Sequence, residues 1–129
     1  MTTDTLARWH RLVADRSARD LGALLADDVV FHSPVVHAPQ VGKAIATLYL
    51  GAALRVFLNP TFRYVRELAG PRDAVDLDLE LQHGVAVNGV DMITWNDAGQ
   101  IVAFKVMLRP LKAINLIHQK MAAMLQARQ

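Results

Sequence analysis

Asp91 is the residue whose neighbours ask most plainly for chemistry. In Gly89-Val90-Asp91-Met92-Ile93-Thr94-Trp95 the two-residue period of a β-strand puts Asp91 on one face with Ile93 and Trp95. A carboxylate on an otherwise apolar face must be solvated in a cavity, hydrogen-bonded, or held neutral by a raised pKa. Each outcome points to a pocket, where a carboxyl group can act as acid, base or hydrogen-bond donor. The competing expectation is structural: a carboxylate near a strand end, capped by neighbouring backbone amides.

Other familiar chemistries are excluded by the residues present. The chain has no cysteine, so a disulfide framework, a thiol nucleophile and a zinc finger are ruled out. It has no phosphate-cradling glycine loop, no dinucleotide fingerprint and no serine-hydrolase elbow. The net charge of +2 comes from 14 basic and 12 acidic residues, with the bases scattered, so no nucleic-acid partner is expected.

The elements that must position Asp91 follow from composition and period. With 129 residues, 53% of them hydrophobic and 20% charged, the chain fits one globular domain, 1–129. Met1-Thr2-Thr3-Asp4-Thr5 does not read as a secretory leader, and the apolar stretch 45–54 is too short to span a bilayer. A cytoplasmic location and no membrane partner are therefore expected.

Leu6, Trp9, His10 and Val13 recur at helical spacing, with Asp4 or Thr5 as cap. A short second helix follows, capped by Asp20, carrying Leu21, Leu24 and Leu25, and closed by Asp27-Asp28. Val29-Val30-Phe31 predicts a strand ended by Ser33-Pro34. The segment from Lys43 to Phe57 predicts a third helix, with Ile45, Leu48, Tyr49, Ala52 and Val56 on one side and Asn59-Pro60 as its stop.

From Thr61 the period changes to two. Phe62, Tyr64 and Leu68 alternate with Arg63, Val65 and Glu67 before a turn at Gly70-Pro71. Val75, Leu77, Leu79 and Leu81 alternate with Asp76, Asp78, Glu80 and Gln82, which predicts a strand with one wet face. On this reading Asp73, Asp76, Asp78 and Glu80 face solvent, with Arg63 or Arg66 opposite them. The next reversal is at His83-Gly84 or at Asn88-Gly89, and in the first case Gly89 is expected to form a bulge that re-aims Asp91. A hairpin loop at Asn96-Asp97-Ala98-Gly99 leads into the strand 101–108, ended by Arg109-Pro110. Leu111, Ile114, Ile117, Met121 and Leu125 then form the stripe of a closing helix. Helices followed by antiparallel strands give the α+β class, helices on one face of a curved sheet.

In this order, Ala26-Asp27-Asp28-Val29-Val30-Phe31-His32-Ser33-Pro34, Gly42-Lys43-Ala44-Ile45, Gly89-Val90-Asp91 and Asp97-Ala98-Gly99-Gln100-Ile101 resemble the SnoaL-like branch of the nuclear transport factor 2-like superfamily. Ketosteroid isomerases belong to that superfamily. The resemblance covers nearly the whole chain. It implies a cone-shaped α+β fold with a pocket between sheet and helices, a small hydrophobic ligand, no cofactor, and a homodimer formed through the sheet. The fold hosts isomerases, polyketide cyclases, epoxide hydrolases, dehydratases and non-catalytic proteins.

The resemblance also assigns roles, residue by residue. In ketosteroid isomerases a carboxylic acid kept neutral by an apolar site donates to the developing oxyanion. Asp91, eight residues before Gly99, matches it. The oxyanion tyrosine of those enzymes falls here on Trp9, whose indole N–H is a donor of a different kind. Their general base falls on Ser33, and a serine hydroxyl is far too weak a base for that work. The base is therefore expected at His32, which adjoins Ser33, or at His37 between Pro34 and Pro39. Strict alternation turns His32 away from the face of Ser33.

His10, His83 and His118 are expected to be structural or solvated. Metal is not expected, because His32, His37 and a distant aspartate do not converge by spacing. Met107, Met121 and Met124 read as core filling or as an adaptable cavity wall. Two functions stay open: a cofactor-independent isomerase or cyclase working on a carbonyl compound through Asp91, and a non-catalytic small-molecule binding domain of the same fold.

Overall fold

The computed structural model describes residues 2–127. The chain runs α1 (Thr2–Asp15), α2 (Leu21–Leu24), β1 (Leu25–His32), β2 (Gln40–Val41) and α3 (Lys43–Phe57). It continues with β3 (Arg63–Ala69), β4 (Asp73–Gln82), β5 (Val85–Trp95), β6 (Ile101–Arg109) and α4 (Leu111–Ala127). The strands form one sheet in the order β2-β1-β6-β5-β4-β3. Pairing is antiparallel throughout except between β1 and β6, which run parallel. The class is α+β, as the sequence predicts, with a sheet that is mixed at that one pair.

The hairpin between β4 and β5 decides what faces the core. His83 and Gly84 both adopt positive φ, 50° and 77°, as a two-residue turn matched to the twist of an antiparallel pair requires. The reversal is therefore at His83-Gly84. Register is unbroken from Asp73 opposite Thr94 to Gln82 opposite Val85, so Gly89 is regular strand and not the expected bulge.

This register overturns the expected wet face of β4. Asp76, Asp78, Glu80 and Gln82 are buried on the side of the helices, while Val75, Leu77 and Leu79 are half-buried and Leu81 is 50% exposed on the other side. The reason is geometric: residues opposite each other in an antiparallel pair point to the same face, and Asp76 stands opposite the inward-facing Asp91. Arg63 and Arg66 are exposed, and neither forms an ion pair with the acidic row.

β3 carries an irregularity of its own. Its register against β4 shifts between Tyr64 and Arg66, after which Glu67 opposes Asp76 and Leu68 opposes Val75. A bulge of this kind turns the following side chains over. Glu67 thus joins the face of Tyr64, and Leu68, expected beside Tyr64, is 53% exposed on the other face.

The core lies between the sheet and the helices. Trp9, Phe31, Trp95, Phe104, Leu21, Leu25 and Ile93 are among its members, with Ile117 and Met121 from α4. Burying side chains of this size stabilises by roughly 1.5–3 kcal/mol each.

α1 begins before Asp4 and Thr5, so neither caps it. Thr5 is fully buried and donates to the Gly99 carbonyl at 2.8 Å, tying α1 to the β5–β6 loop. Asp20 stands at the start of α2 but makes no side-chain cap. α2 ends at Leu24, so Leu25 and the Asp27-Asp28 pair belong to β1, where the register against β6 shifts between Leu25 and Val30.

α3 has the predicted bounds. It is turned so that Ala46, Leu50, Ala53 and Leu54 are buried along with Ala52 and Val56, while Ile45 is exposed. In α4, Ile117 and Met121 are buried as expected, whereas Leu111 is 70% exposed.

Candidate functional site

Between α1, α3 and the sheet lies a cavity of about 40 Å³. Its apolar walls include Trp9, Val13, Leu54, Phe57, Phe62 and Phe104, and its polar groups are Tyr64, Asp78 and Asp91. That volume holds a few waters, so a larger ligand must displace side chains. A surface cleft of about 260 Å³ shares Val13, Leu58, Phe62 and Tyr64 with it. These four side chains line both spaces.

A chain of hydrogen bonds crosses the cavity floor. The Trp9 indole N–H donates to Tyr64 Oη at 3.0 Å, and the Tyr64 hydroxyl donates to Asp91 Oδ2 at 2.6 Å. Trp9 is held edge-on against Phe104, with ring centroids 4.8 Å apart. Each donor is positioned by a different element: Trp9 by the apolar stripe of α1, Tyr64 by β3 before its bulge, Asp91 by the regular register of β5.

The electrostatics follow from burial. Asp91 is pushed up to about 6, first by its removal from water, while the hydrogen bond from Tyr64 and the nearby His10 pull it down. Tyr64 is held well above the usual phenol range by burial and by the Asp91 carboxylate, so it remains a donor. Asp78 is pushed up to about 8 by burial, then by Asp91 and Glu80. Asp76, directly opposite Asp91, is also raised to about 8, by burial and then by Glu67.

The sequence-predicted site divides in two. Asp91 and Trp9 meet in the cavity, joined through Tyr64, so the Trp9 N–H is directed at a phenol and not into open space. Neither His32 nor His37 lines the cavity. His32 lies at the end of β1 opposite Lys105, alternate to the buried Phe31, and His37 is exposed in the following loop. Asp91 and Asp78 are the only groups of the cavity wall, among the described residues, with the character of a general base.

Tyr64 and Asp78 were not singled out by sequence reasoning as site residues. The signal that finds them is the turn: a reversal at His83-Gly84 sets Asp76 opposite Asp91 and Asp78 opposite Gly89, and Asp78 in turn opposes Tyr64. None of Met107, Met121 and Met124 lines the cavity. Met121 is core, and Met107 is 51% exposed on the outer face of the sheet.

Neither a protein-family model nor a curated protein matches the chain by sequence. Solved structures do match. A steroid delta-isomerase from Pseudomonas aeruginosa superposes with a TM-score of 0.92 at 35% identity, over 98% of this chain and 93% of that one. A protein with a cystatin-like fold from Silicibacter pomeroyi does so with a TM-score of 0.81 at 31% identity, over 96% of this chain and 84% of that one. The epoxide hydrolase/cyclase-like enzyme SalBIII, of pyran ring formation in salinomycin, shares the fold alone, with a TM-score of 0.64 at 16% identity over 84% of this chain and 90% of that one. No helix among the described residues is long and apolar enough to cross a membrane. With near-complete coverage at more than 30% identity, the chain belongs to the nuclear transport factor 2-like (SnoaL-like) superfamily.

Proposed function

We propose that this protein binds a small hydrophobic carbonyl compound in the cavity and transfers a proton on it, as a cofactor-independent isomerase. The observation that carries the reading is the 2.6 Å contact between the Tyr64 hydroxyl and Asp91 inside an apolar wall. A carboxylate that ionises at about 6 is matched to proton abstraction near neutral pH. When substrate binds, the Tyr64 O–H, itself polarised by the Trp9 N–H, turns from Asp91 to the oxyanion that develops on the substrate carbonyl and leaves the carboxylate free to act as base. Asp91 takes a proton from the carbon next to that carbonyl and returns it two carbons along, so that no group outside the substrate is consumed.

With His32 and His37 outside the cavity, the base in this reading is Asp91, and Tyr64 stands where Trp9 is expected as the immediate donor. The 35% identity with a steroid delta-isomerase supports a polycyclic ketone as substrate. The narrowness of the cavity requires Phe57, Leu58 and Phe62 to move when such a molecule enters. It also favours the second reading, a binding domain for a smaller ligand without turnover.

The test is conversion of a β,γ-unsaturated 3-ketosteroid, followed by the ultraviolet absorbance of the conjugated product. Turnover that falls by about 10²–10⁴-fold in Asp91→Asn supports the isomerase. Saturable binding without turnover leaves the binding domain, and neither binding nor turnover removes both readings for this ligand class.

The outer face of the sheet supports a second proposal, that the protein is a homodimer paired through it. Val65, Leu68, Leu81 and Met107 are each at least half exposed there, and Met92 is 39% exposed. A contiguous apolar face of this kind marks an interaction surface.

A further inference from the structure

Beside the cavity stand three side chains that the proposed reaction does not use. His10 on α1, Glu67 on β3 and Asp76 on β4 converge on one point. The His10 Nε2 lies 2.6 Å from Glu67 Oε2 and 3.5 Å from Asp76 Oδ2. A donor atom from each of the three falls within 4.8 Å of the others. Two donors bound to one ion at about 2.1 Å, at angles between a right angle and the tetrahedral one, stand about 3.0–3.4 Å apart. The two measured separations bracket that range.

Asp76 supplies the independent sign of a ligand. Its side chain is 0% exposed, and neither carboxyl oxygen has a hydrogen-bond partner. A buried carboxylate is retained when it is paired or holds a metal. Among the described residues its one ion-pair contact is the long one to His10, at 3.5 Å, and no lysine or arginine lies within that distance. His10 and Glu67, by contrast, are 37% and 35% exposed. His10 also lines the surface cleft, which leaves an entry path and room for water ligands.

We propose that His10, Glu67 and Asp76 form a binding site for one divalent transition-metal cation of the Zn²⁺ or Mn²⁺ type. One imidazole and two carboxylates make a donor set suited to such ions and balance their charge. On binding, the cation displaces the Asp76 carboxyl proton to solvent, takes the His10 Nε2 lone pair with the ring proton on Nδ1, and replaces the direct His10–Glu67 contact. The bulge between Tyr64 and Arg66 is what turns Glu67 toward the other two. The ion would clamp α1, which carries Trp9 next to His10, onto the strand that carries Tyr64. This site does not depend on the isomerase reading.

The test is calorimetric titration of chelator-treated, full-length protein with Zn²⁺, together with ¹⁵N spectra of the histidine rings. The expected result is one Zn²⁺ per chain with micromolar affinity, a shift of the His10 ring resonances, and loss of both in His10→Ala, Glu67→Gln and Asp76→Asn. Should Asp76→Asn fail to fold, the two variants at partly exposed positions carry the test. Absence of saturable binding, or binding that survives His10→Ala at unchanged stoichiometry, overturns the proposal and leaves the trio as a proton-sharing cluster.

Discussion

Asp78 and Gly89 compete for one volume: a Cβ built on Gly89 would lie 2.6 Å and 2.9 Å from the two carboxyl oxygens of Asp78. They are direct partners across the β4–β5 pair. The missing side chain on β5 is what lets a second carboxyl group enter the cavity beside Asp91.

Gly89→Ala should therefore lower stability by about 1–3 kcal/mol, the cost of overpacking a filled site. The loss should largely disappear in a Gly89→Ala, Asp78→Ala double variant, because the methyl group then occupies the vacated space. Denaturant melts of the four proteins in this cycle give the coupling. Additive effects would mean that the two residues do not share the volume.

Tyr64→Phe removes the donor that holds the Asp91 carboxylate. Since that hydrogen bond lowers the Asp91 pKa against the upward push of burial, the variant should titrate Asp91 above the native value of about 6. Carboxyl-resolved ¹³C NMR across a pH series measures this directly. An unchanged or lower Asp91 pKa would show that Tyr64 does not donate to it.

Stability should fall as pH rises. Burial raises Asp91 to about 6 and Glu80 to about 7, above the value of about 4 that both have in the unfolded chain. Between those limits the native state keeps protons that the unfolded state has released, so the unfolded state gains on raising pH. The stabilisation is fully present below about pH 4 and is lost through the folded values. Melting temperatures should therefore decline from weakly acid to neutral pH, and Glu80→Gln should flatten the decline. A melting temperature that climbs over this window would mean the two groups are ionised in the folded protein.

Leu68→Lys combined with Met107→Lys should convert a dimer to a monomer in light scattering without altering far-ultraviolet circular dichroism. Both positions are about half exposed on the outer sheet face, at 53% and 51%, so a charge there costs the fold little and a buried interface much. A wild-type protein that scatters as a monomer at all concentrations would remove the dimer.

The bounds of α3, the two-residue alternation of β4 and β5, and the inward face of Asp91, Ile93 and Trp95 were legible in the amino-acid order. Local spacing governs them, and burial of one stripe or one face enforces it. The order of motifs was enough to reach the superfamily, and two of the four expected site residues, Asp91 and Trp9, meet in the cavity.

What the tertiary structure alone decided is which face of β4 is wet and which groups surround Asp91. Alternation names two faces but not which one is buried, and four carboxyl and amide side chains on one of them argue for water until the partner strand is known. Register against β5, set by positive φ at His83 and Gly84, turned Asp76, Asp78 and Glu80 inward. The bulge in β3 then separated Tyr64 from Leu68 and brought Glu67 to His10. Those contacts join residues up to 57 positions apart, and strand pairing makes them at distances where the local sequence carries no period.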